Sequence, residues 1–106
     1  MDHSTKTLMM QELQLYARDP INGRSYIAST PNDEIYSVIG IAKFDNRHVA
    51  SADLIVEWQN DTIIIHHDTF SIPFHDSLVD LGIPRERIIL AYAGETMPDS
   101  KPTSEA

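Results

Sequence analysis

The sequence predicts an α+β domain: an antiparallel β-meander packed with an N-terminal helix and a short C-terminal helix. Three observations carry this. Apolar residues recur at helical spacing near the N-terminus. The middle of the chain alternates apolar and polar residues and is rich in β-branched and aromatic ones. A second, shorter helical stripe then precedes a last apolar strand. A chain of 106 residues fits one domain; residues 1–93 are assigned to it and 94–106 to a disordered acidic tail rich in Pro, Ser and Thr.

The first helix is expected from about Ser4 to Ala17. Ser4 or Thr5 offers a side-chain oxygen to cap its start. Met9, Leu13 and Tyr16 fall at i, i+4 and i+7 and share one face. Asp19-Pro20 and Asn22-Gly23 supply turn chemistry. Strands follow at Arg24–Ser29 and Ile35–Phe44, the second closed by Asp45-Asn46. From His48 the alternation places Ala50, Ala52, Leu54, Val56 and Trp58 on one face, with Ser51, Asp53 and Glu57 on the other. Gln59-Asn60-Asp61 turns the chain into Thr62–His66, whose three isoleucines suit a strand covered on both sides. The second helix is expected over Ile72–Leu81, with Ser71 as cap, Pro73 in the first turn and Phe74, Leu78 and Leu81 as its buried stripe. Gly82 ends it. Ile88–Tyr92 is a final strand.

Acidic residues outnumber basic ones 16 to 8, for a net charge of −8. That balance disfavours gripping nucleic acid through its phosphates, which needs clustered Lys and Arg. The absence of cysteine excludes disulfides and thiolate metal sites. No apolar run reaches the roughly 18 residues of a membrane span, and the N-terminus lacks a signal-peptide pattern, so a cytoplasmic protein is expected.

His66-His67-Asp68, with His75 and Asp76, is the cluster that comes nearest to a metal site, and a small metal-dependent enzyme is the alternative reading of the chain. Strand alternation argues against it by sending His66 and His67 to opposite faces. Asp53 and Glu57, two steps apart on one strand face, resemble a carboxylate pair for magnesium. Only Lys43, from the neighbouring strand, is available to support them, and surface charge pairing accounts for the three equally well. No nucleophile elbow or phosphate loop is present. Arg85 and Arg87, flanking Glu86, read as a solvated charge group. The expectation is therefore no catalytic residue, no cofactor and no metal. Partner contacts are expected on the first helix through Met9, Leu13 and Tyr16, on the meander through Glu57, and along the meander's exposed edge.

The stretch Thr62–Asp68, followed by Leu78-Val79-Asp80-Leu81-Gly82-Ile83-Pro84-Arg85-Glu86-Arg87-Ile88-Ile89-Leu90, resembles the XisI family of element excision controlling factors, named for the fdxN element of cyanobacteria. Leu15-Tyr16 resembles that family's opening helix, and the likeness runs over about residues 5–93. The chain departs from the family pattern at Ile39-Gly40-Ile41, at Ile64 and at Asp68-Thr69-Phe70. The resemblance implies an accessory protein that regulates DNA excision while a separate recombinase exchanges strands. It also implies a XisH-like, nuclease-related partner, and a net negative charge suits a basic partner surface. A homo-oligomer is expected; direct nucleic-acid binding is not.

Overall fold

A computed structural model describes residues 3–96, with side chains from residue 5 onward. The elements are α1 (His3–Tyr16), β1 (Gly23–Ser29), β2 (Ile35–Phe44), β3 (Arg47–Gln59), β4 (Thr62–Asp68), α2 (Phe74–Asp80) and β5 (Ile88–Leu90). The chain thus has the expected α+β class, and the strands lie side by side in chain order. β1 to β4 are antiparallel, as a meander requires. β5 departs from that pattern and pairs parallel to β4, Ile63 opposite Ile88. The reason is α2, which carries the chain back across the sheet before β5 begins, as parallel pairing demands. Asp45-Asn46 and Asn60-Asp61 take positive φ at both positions, the backbone of tight two-residue hairpins.

Both helices pack on one face of the sheet. Met9 and Leu13 of α1, and Phe74 and Leu78 of α2, share a buried cluster with Val38, Leu54, Val56, Ile63 and Ile65. The opposite face carries no helix among the described residues. Ile64 lies there and is fully buried beside its register neighbours Glu57 and Ile89, although no helix among the described residues supplies the cover expected on that side of the strand.

The ends of α2 differ from expectation in two ways. Ser71 does not cap it. The Asp68 carboxylate accepts the Phe70 N–H at 2.9 Å and the Phe74 N–H at 2.7 Å, so a strand residue fastens the helix start. Leu81 is exposed, and Ile83 takes its place in the core. The Ile83 N–H reaches back to the Leu78 carbonyl and the Gly82 N–H to that of Val79, with Gly82 at φ 101°. This paired closure turns the chain by a left-handed residue and swings Ile83 inward. Helix α1 begins at His3, so neither Ser4 nor Thr5 stands before it. Of the tail, Glu95 is tied down by accepting the Leu90 N–H at 2.9 Å; residues 97–106 lie outside the described set.

Two β-bulges reshape the meander. Val38 pairs with Leu54 but Ile39 pairs with Ala52, leaving Asp53 as an extra residue in β3. Ile55 pairs with His67 but Val56 with Ile65, leaving His66 extra in β4. An inserted residue shifts the alternation by one, so side chains beyond it change faces. The single face expected for Ala50, Ala52, Leu54, Val56 and Trp58 is therefore corrected. Ala50 and Ala52 pair with Ile41 and Ile39 on the open face, whereas Leu54 and Val56 face the helices.

Candidate interaction groove

The outer part of the β2–β3 hairpin, about Gly40 to Ser51, runs past the ends of the helices and is largely exposed. Its helix-side residues Ala42, Phe44 and Val49 roof a groove of about 310 Å³ whose other wall is Tyr16, Arg18 and Phe70. Phe44 is 49% exposed and Val49 41%, so both present apolar surface to the groove. The Tyr16 ring is gripped edge-on by Phe70 and Phe74, centroids 4.9 and 5.2 Å away. Its hydroxyl donates to the Ile72 carbonyl at 2.8 Å and lies 2.6 Å from the Ser77 Oγ. These contacts lock the groove wall to α2, and burial pushes the Tyr16 phenol pKa up.

The bulge aims the Asp53 carboxylate into this groove. Its Oδ1 accepts the Ser51 hydroxyl at 2.7 Å, and its Oδ2 lies over Gly40, where a Cβ would come within 2.7 Å. Gly40 thus leaves the space the carboxylate occupies. No ion pair neutralises Asp53 among the described residues. The site is a largely apolar slot with the Asp53 carboxylate inside and Arg18 on its wall; the carboxylate suits an aliphatic or aromatic side chain next to a cation.

The residues expected to meet a partner fall elsewhere. Met9 and Leu13 have no exposed surface: the apolar face of α1 is turned onto the chain's own sheet. Tyr16 borders the groove but chiefly joins α1 to α2. Glu57 accepts from His66 at 2.8 Å on the open face. Glu57 and Asp53 therefore sit on opposite faces, because the bulge at Asp53 undoes the two-step spacing that placed them together. Lys43 is out on the hairpin opposite His48. The second bulge has the reverse effect on the histidines, bringing His66 and His67 to the same open face. Asp68 points to the helix face and His75 rides on α2 beside Asp76 at 3.2 Å. The five residues of that cluster are divided by the sheet, and no group of three or more such ligands comes together among the described residues. Arg85 is more than a solvated charge: it bonds the Ile88 carbonyl at 2.6 Å and Glu95 at 2.7 Å. Arg87 reaches the Asp61 carbonyl at 3.1 Å.

Phe44, Val49 and Phe70 were not legible as a site, because five separate segments contribute to it. The usable signal was Phe44 and Val49 flanking a polar turn.

The architecture defines a small two-layer α+β domain whose free surfaces are suited to binding. The family described as XisI protein matches residues 2–101, and the chain belongs to that family. A XisI-like protein from Anabaena variabilis is similar in structure, with a TM-score of 0.68, 12% identity and coverage of 85% of this chain and 84% of that one. The fdxN element excision controlling factor XisI from Anabaena variabilis is similar at a TM-score of 0.55 and 19% identity, over 92% of this chain and 90% of that one. No curated protein matches the chain in sequence.

Proposed function

We propose that this chain is a regulatory accessory subunit in the excision of a DNA element, acting by protein–protein contact rather than by chemistry of its own. The groove between the β2–β3 hairpin and the Tyr16–Phe70 wall carries the reading. It is largely apolar, open at the surface and holds the Asp53 carboxylate, which has no ion pair among the described residues and fits a basic segment of a nuclease-related or recombinase partner. Membership of the XisI family, and the likeness to the Anabaena excision controlling factor, support the process in which it acts. The net charge of −8 supports a basic partner over direct contact with DNA.

The test is co-expression with a XisH-like protein or a recombinase from the same genome, followed by copurification. A stoichiometric complex is expected, lost on Asp53→Lys and weakened by Phe44→Ala. A folded chain that copurifies with neither protein would contradict the reading.

A further inference from the structure

The cations of this acidic chain are unevenly placed. Lys6 is paired with Asp33, Arg85 with Glu95, and Arg87 with the Asp61 carbonyl. Arg18, Arg24, Lys43 and Arg47 have no ion-pair partner among the described residues; Arg18 lines the helix-side groove, whereas Arg24 and Lys43 fall together. Both lie on the open face of the hairpin end, where they border a hollow of about 210 Å³ with Tyr26, Ile41 and His48. Tyr26 is 48% and Ile41 42% exposed. This is a basic patch with an apolar centre.

The outer surface of α2 has the opposite character. Asp76, Val79 and Asp80 follow at i, i+3 and i+4 and share the solvent side. Ile72 before the helix and Leu81 after it are exposed as well. Asp80 stands in the last turn, which contains no basic residue. A carboxylate there opposes the helix dipole, so local stability does not account for its presence. Asp76 retains a contact to His75; Asp80 has no ion pair among the described residues.

We infer that these two surfaces are the halves of one interface, and that the occupant of each is a second copy of this chain. The Arg24–Lys43 end of one copy seats against the Asp76–Asp80 side of the next, with Tyr26 and Ile41 covering Val79 and Ile72. Pairing each patch with itself would bring like charges together, which costs several kcal/mol, so the contact runs between unlike patches. The inference stands apart from the regulatory reading, since it needs no other protein and its four charged groups lie outside the Asp53 groove.

Charge exchange tests it on the purified chain by light scattering at low salt. The native chain is expected to form an oligomer. Arg24→Glu with Lys43→Glu sets acid against acid, and Asp76→Lys with Asp80→Lys sets base against base; each is expected to weaken association by roughly tenfold or more. An equal mixture of the two variants restores complementarity and is expected to reassemble. Circular dichroism checks folding, and the single Asp80→Lys variant, at an exposed helix end, is a milder probe that is also expected to weaken association. A native chain that stays monomeric, an oligomer indifferent to both reversals, or folded variants that fail to reassemble on mixing would overturn the inference.

Discussion

Asp68 joins two elements through one carboxylate. Its oxygens accept from Phe70 and Phe74, so the end of β4 holds the start of α2. Hydrogen bonds from backbone amides to an ionised group are worth more than neutral ones. Asp68→Ala is expected to cost about 2–3 kcal/mol in denaturant unfolding, and Asp68→Asn roughly half of that. Equal stability of both variants with the native chain would contradict this role. Glu95 offers a pH-dependent counterpart. The Leu90 N–H first and Arg85 second hold its carboxyl below the ordinary value of 4.5. A depressed acid favours the folded state above its unfolded pKa, and that contribution is lost as pH falls through the lower folded value. NMR titration of the Glu95 carboxyl is expected to show a midpoint below 4.5, still depressed but less so in Arg85→Ala. A native midpoint at or above 4.5 would contradict the assignment.

At the scale of elements, β1 is an edge strand held close to β2. Gly23 lies so near the Ile41 carbonyl that a Cβ would collide with it, and with the Ala42 Cα. Both obstacles are backbone, which cannot rotate aside. Gly23→Ala is therefore expected to destabilise by roughly 2–3 kcal/mol and to speed amide exchange along β1. Unchanged stability would mean that the β1–β2 spacing is not fixed there. The Asp19 carboxylate accepts the outward Ser25 N–H at 2.9 Å and blunts the free edge of β1. The elements themselves were legible in the sequence. Ile35–Phe44 emerges with the expected bounds, because β-branched residues between turn signals mark a strand. The bulges were not legible, since one extra residue leaves no mark in composition. Asp53 reads as another polar position, yet it reverses the faces of everything beyond it. The candidate groove was hidden for that reason, and because its walls come from the end of α1, β1, β2, β3 and the segment at Phe70.

For the whole molecule, the two helices use one face of the sheet and leave the hairpin and the outer side of α2 free for contacts. The apolar stripe of α1 is spent on the core, which explains why a helix that looked available for a partner is not. Contacts fall instead to the hairpin, where exposed apolar side chains sit beside charged ones. The most direct measurement is calorimetric titration of the XisH-like protein or recombinase into this chain at low and at high salt. Saturable binding with a negative heat-capacity change is expected, weakened by salt, reduced by Phe44→Ala and abolished by Asp53→Lys, yet retained by Arg24→Glu with Lys43→Glu. Absence of saturable heat with both candidates, or full binding by the Asp53→Lys chain, would contradict the assignment of this groove to partner control.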